Sequence, residues 1–186
     1  MISRDGRALG LLLVALAAAA SAVPCPAGAA SAAEIRRDSA AALKELYATE
    51  PVAKMLGAQA KGILVFPSIL KGGFMVGGQI GEGALWKAGK TVGYYNSVAA
   101  SYGLQAGIQR FGYALFFMND RALKQLDATR GFEIGVGPSI VVVDAGIAKS
   151  MTTNTLTSDV YAFIFSQQGL MAGIGIQGSK ITKIAK

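Results

Sequence analysis

The chain has no histidine and only one cysteine, Cys25. Without histidine there is no imidazole base, no His-containing triad and no His-ligated metal. One cysteine makes neither an intramolecular disulfide nor a CxxC site. Charge is scarce too: 16% of the 186 residues, against 52% hydrophobic. So little charge with so much apolar content excludes an intrinsically disordered chain. The length fits one domain with a real core. Two things are in excess: glycine, with 24 residues, and positive charge, formally +7. A basic balance of this kind favours anionic lipid, polymer or polysaccharide over nucleic acid as a partner.

The first 33 residues differ from the rest. Arg4 and Arg7 make a basic start, and Ala8 to Val23 is a run of small and apolar residues centred on Leu11, Leu12, Leu13 and Val14. The segment Ala27 to Ala33 then offers the small residues a signal peptidase needs. Residues 1–33 read as a secretory signal peptide cleaved between Ala29 and Ala33. The competing reading is a membrane anchor, for which the run is short and its alanines weakly hydrophobic. Lipid attachment at Cys25 fits poorly, because Ala22 and Pro24 hold the positions where such sites carry a Leu-like and a small residue. The expected location is therefore the periplasm, the cell envelope or the medium. Removing two arginines and one aspartate leaves residues 34–186 at +6.

Glu34 to Tyr47 reads as an amphipathic helix. Ile35, Ala42, Leu43, Leu46 and Tyr47 share one arc, Arg36, Arg37 and Lys44 the next, and Glu34, Asp38 and Glu45 lie opposite. Thr49-Glu50-Pro51 starts a second helix, which Gly62 stops. The period then changes to strands, expected over 62–69, 73–86, 91–102, 104–118, 131–143, 160–167 and 170–178. Pro67 is expected to end the first. Lys87-Ala88-Gly89-Lys90 is a turn, Asn119-Asp120 caps a helix over 121–129, and 150–158 is a loop. A Gly-(Phe or Leu)-x-x-Gly pattern recurs at Gly73–Gly77, Gly103–Gly107, Gly131–Gly135 and Gly169–Gly173. On a strand each copy leaves two bare positions on one face, where something can approach closely. The expected fold is α+β: N-terminal helices followed by a mostly antiparallel, curved or barrel-like, glycine-rich sheet.

Two motif matches fail on context. Ala84 to Thr91 fits a loose phosphate-loop pattern, but a strand-like Val92-Gly93-Tyr94-Tyr95 follows where a helix is required. Gly173 to Gly178 fits GxGxxG, but only eight residues remain after it, too few for a dinucleotide fold. The acids Glu82, Asp120, Asp127, Glu133, Asp144 and Asp159 are scattered, and Ser150 beside Lys149 or Ser179 beside Lys180 is no dyad. No catalytic residue, metal site or cofactor is expected.

Lys61-Gly62-Ile63-Leu64-Val65-Phe66-Pro67, Lys71 to Gly78, Gly103 to Gly107 and Gly169 to Gly173 together resemble the SYLF domain family, also called the actin-regulating Las17-binding family. The likeness covers roughly residues 35–184. It implies a non-catalytic module that binds anionic lipids such as phosphoinositides, and relatives that also bind actin. Three departures stand out: Gln168 where the family often has lysine, a signal peptide in place of a lipid-binding helix, and no SH3 or FYVE domain. Export argues against actin as a partner unless the protein reaches a host cell. Lipid binding needs cations for headgroups and apolar surface for chains. The candidates are Arg36, Arg37, Lys44, Lys61, Lys71, Arg110, Arg121, Lys124 and Arg130, with Lys180, Lys183 and Lys186 forming a basic, Ile-interleaved tail. The alternative is a structural or adhesion-like envelope protein that binds protein or glycan.

Processing is directly measurable. The mature N-terminus is expected between Ala30 and Glu34 in intact-mass analysis of protein from its native host. A diacylated Cys25 at the N-terminus would contradict this.

Overall fold

The computed structural model describes residues 30–127, 131–133, 139–152, 156–169 and 179–186. Helix α1 spans Ala32–Thr49 and α2 spans Pro51–Gln59. α1 starts two residues earlier than its apolar period suggests. Ser31 and Glu34 close a reciprocal capping box there, which fixes the first turn. Pro51 opens α2, where its missing N–H costs nothing. Strands β1 (Gly62–Lys87) and β2 (Lys90–Phe117) follow, then α3 (Asp120–Leu126), β3 (Phe132–Glu133), β4 (Ile140–Val142), α4 (Ala145–Ser150), β5 (Val160–Gly169) and β6 (Lys180–Ile184).

The main departure from expectation is length. The four strands expected over 62–118 are two, of 26 and 28 residues, paired as one antiparallel hairpin. Pro67 does not end β1. The register slips between Phe66 and Ile69, so a bulge absorbs the proline's missing donor. A second slip follows Phe74, beside the directly opposed Gly73 and Gly107. The turn at the tip is as expected: Ala88 (φ 47°) and Gly89 (φ 75°) both take the left-handed conformation of a two-residue hairpin.

On its other edge β2 is shared. Tyr94 to Val98 pairs with β6, and Gln109 to Phe117 pairs with β5. β6 continues to β3, and β5 to β4 in the one parallel pair among the described residues. Of the strand expected over 131–143, the described parts are β3, paired with β6, and β4, paired with β5; residues 134–138 lie outside the described residues. α3 ends at Leu126 rather than 129. The strand expected over 170–178 lies outside the described residues. The basic tail, read as an amphipathic end, is strand β6. Six strands form one mostly antiparallel sheet among the described residues, and the α+β class stands.

Alternation divides the core in two. Ile63, Val65, Ala114, Phe116, Tyr161, Phe163 and Phe165 face α1 and α2, meeting Ala42, Leu46, Ala53 and Leu56. Leu64, Phe66, Phe111, Tyr113, Leu115 and Phe117 face the other way, towards α3 and towards Leu85, Tyr95, Phe132 and Ile181 from the far half of the sheet. The hairpin therefore curls until its far half closes over its near half. Gly83 marks the contact: a Cβ there would lie 2.5 Å from the Val65 carbonyl and 2.7 Å from the Phe66 ring. At Gly112 a Cβ would strike the Phe165 ring.

Polar ties fix the curl. The Tyr95 hydroxyl donates to Asp127 at 2.7 Å, Lys183 donates to the same oxygen at 3.0 Å, and the Lys183 ammonium sits 5.9 Å from the Tyr95 ring centre. Partial burial raises the Asp127 pKa, but the hydrogen bonds from Tyr95 and Lys183 outweigh it and hold the carboxyl below its ordinary range.

Two outcomes follow. Gly83→Val and Gly112→Val should each lower stability by about 1–3 kcal/mol through overpacking, read as urea midpoints. Asp127→Asn should cost less than about 1 kcal/mol at neutral pH, because the pair is half exposed. A depressed carboxyl pKa stabilises the fold above the unfolded value, so the wild-type advantage should close progressively below pH about 4.

Candidate functional site

The structure gives the nine candidate cations unequal fates. Arg36, Arg37 and Lys44 lie on the exposed side of α1, as their arc requires. Arg37 is spent on Asp38 at 2.9 Å. The other two acids of that helix are also engaged, Glu34 by Ser31 and Glu45 by the Ser166 hydroxyl. Lys61 is exposed where α2 meets β1, with its backbone N–H bonded to the Phe117 carbonyl at 2.8 Å. Arg121 pairs with Asp159 at 3.2 Å. That carboxylate also accepts from the Asn119 amide and the Ser139 backbone, which hold its pKa down and tie α3 to the start of β4. Arg121 thus helps tie α3 to β4 while its side chain stays 75% exposed. Lys124 is exposed on α3, and Arg130 lies outside the described residues.

Lys71 corrects the expectation most clearly. It is only 6% exposed, opposite the buried Gln109 on the inner face of the hairpin. Alternation sends it inward, so it cannot serve as an open surface cation. It belongs to a set of buried polar residues with Gln79, Ser97, Gln109 and Ser179. Gln79 donates to the Ser179 hydroxyl at 2.7 Å. The Ser97 hydroxyl, the Gln109 carbonyl oxygen and the Tyr113 hydroxyl have no partner among the described residues. Burial also pushes the Tyr113 hydroxyl far above its ordinary pKa, keeping it neutral.

The outer face of the same hairpin is apolar and open. Val76, Ile80, Val98 and Ile108 are 45–69% exposed. Register aligns them in rows across three strands. Ile80 lies opposite Val98, and Val98 opposite Lys180, whose far neighbour is Glu133. On the other side of the bend Leu70 lies opposite Arg110, and Arg110 opposite Gln168. Gly72 faces Ile108 beside that row, which leaves the isoleucine standing clear. One row holds an expected site cation, Arg110, and the other a cation from the tail, Lys180. Clustered exposed apolar side chains of this kind mark interaction surfaces.

Sequence reasoning missed the apolar half of this face. The signal was present in Val76-Gly77-Gly78-Gln79-Ile80-Gly81, where apolar side chains alternate with glycine and glutamine. It misleads because the polar member, Gln79, faces inward and the apolar members face out.

Among the described residues no group of three or more acids and cysteines is placed to hold a metal. Nor is any helix among them long and apolar enough to cross a membrane. A family model described as Ysc84, Las17-binding protein actin regulator, matches residues 98–185. The match begins at Val98, so it contains Ile108, Arg110 and Lys180 but neither α1, α2 nor β1. It fits a binding role. No curated protein matches the chain.

Proposed function

We propose, with residues 98–185 belonging to the Las17-binding actin-regulator family, that this protein binds anionic lipid at a membrane surface through the outer face of its sheet. The observation that carries the reading is the pair of cross-strand rows, Ile80–Val98–Lys180 and Leu70–Arg110–Gln168, which set exposed apolar side chains beside cations. A bilayer interface rewards that combination. Each apolar side chain is already about half buried, so inserting it yields roughly 1 kcal/mol. Each cation near an anionic surface adds about 1 kcal/mol, screened within a Debye length. The sum is a weak, reversible attachment. The basic start and apolar run of residues 1–33 support an exported protein working at the cell envelope. The wider resemblance over residues 35–184 supports anionic headgroups as the target.

Vesicle co-sedimentation tests this. Wild type should bind vesicles containing anionic lipid and leave neutral ones unbound. Binding should weaken sharply from low to physiological salt, with a residue of apolar insertion surviving. Val98→Asp with Ile108→Asp should abolish binding, and Arg110→Glu should weaken it. An Arg36→Glu, Arg37→Glu, Lys44→Glu variant should bind nearly as wild type; loss of binding in that variant alone would move the surface to α1. If wild type binds no vesicle at low salt, the lipid reading fails and a protein or glycan partner for the same face replaces it.

A further inference from the structure

A groove lies elsewhere, between α1, α2 and the tip of the hairpin. Its volume is about 490 Å³, within the roughly 300–1,000 Å³ of small-ligand pockets. Ala40, Leu43 and Tyr47 line one wall, Trp86 the other, and Lys44 and Lys54 border it. The α1 wall, from Ala40 to Ala48, runs about 12 Å at 1.5 Å per residue. Tyr47 is seated against Gly57 of α2, where any Cβ would strike its ring. Both lysines are exposed, and no acid lines the groove. Two more exposed lysines, Lys87 and Lys90, flank the hairpin tip that closes it. The Trp86 indole N–H is buried and has no partner among the described residues.

We propose that this groove binds a single-chain anionic amphiphile of the fatty-acid class, its chain along Leu43, Tyr47 and Trp86 and its carboxylate between Lys44 and Lys54. The occupant follows from complementarity. The walls are apolar along a length suited to one medium acyl chain, and the border is cationic. A neutral chain would leave two ammonium groups beside it with no counter-charge, and a zwitterionic headgroup would bring its own cation to them. This site does not depend on the sheet face, whose residues Leu70, Val76, Ile80, Val98, Ile108, Arg110 and Lys180 are none of the groove's lining.

Trp86 is the only tryptophan in the chain and reports on the site directly. Dodecanoate carrying a bromine on its chain, kept below its micelle concentration, should quench Trp86 emission saturably in the full chain. Lys44→Glu with Lys54→Glu should raise the half-saturation concentration about tenfold or more, with an unchanged circular dichroism spectrum, since both side chains are exposed. Brominated dodecanol, the same chain without the charge, should bind about tenfold more weakly. Val98→Asp with Ile108→Asp should leave the quenching intact, whether or not vesicle binding survives. No quenching, equal quenching by acid and alcohol, or an unaffected double-lysine variant would each overturn the assignment. So would Trp86 emission that changes with protein concentration in the absence of amphiphile, which would identify a second copy of the chain as the occupant.

Discussion

The length of β2 governs the rest of this structure. At about 3.3 Å per residue a straight strand of 28 residues would reach roughly 90 Å, far beyond a domain whose radius of gyration is about 15 Å. It must bend, and a bent strand must keep its backbone bonds satisfied. β1 meets this along one edge by bending with it, slipping register at Pro67 and again beside Gly73 and Gly107. Along the other edge, among the described residues, β5 pairs with the Gln109–Phe117 end of β2 and β6 with its Tyr94–Val98 end. The curl and the two-sided core follow from that bend.

The two halves of the hairpin carry different loads. Near its base every residue from Phe111 to Phe117 is buried, because helices cover one face and the folded-over sheet covers the other. Around the bend the inner face turns polar, at Lys71 and Gln109 before it and at Gln79 and Ser97 beyond it, while past the bend the outer face shows Val76, Ile80 and Val98 to solvent. This inverts the usual inside-out distribution.

What could be read beforehand was set by local rules. The arcs of α1, the turn at Ala88-Gly89, the Asn119 cap and the alternation of Ile63 to Phe66 each depend on neighbours within a few residues, and each is where the pattern puts it. Strand ends were misjudged for the opposite reason. Proline and glycine are local stop signals, yet a bulge lets a strand pass Pro67, and opposed glycines let two strands bend together without parting. Whether a glycine ends a strand or curves it depends on a partner some thirty residues away.

Cations show the limit most sharply, because residue type and exposure pattern say nothing about a cation's second partner. Arg37 and Arg121 are each held by an aspartate, and Lys71 faces the interior because its register leaves no alternative. Lys44, Lys54 and Arg110 share the same charge, but beside each lies an apolar surface in place of an acid. An ion pair exposed to water is worth little, but its acid offsets the cation's charge towards a headgroup. A cation bordering apolar surface keeps its charge for whatever anion can also cover that surface. Net charge of +7 therefore does less to define this protein than the few positions where positive charge and uncovered carbon meet.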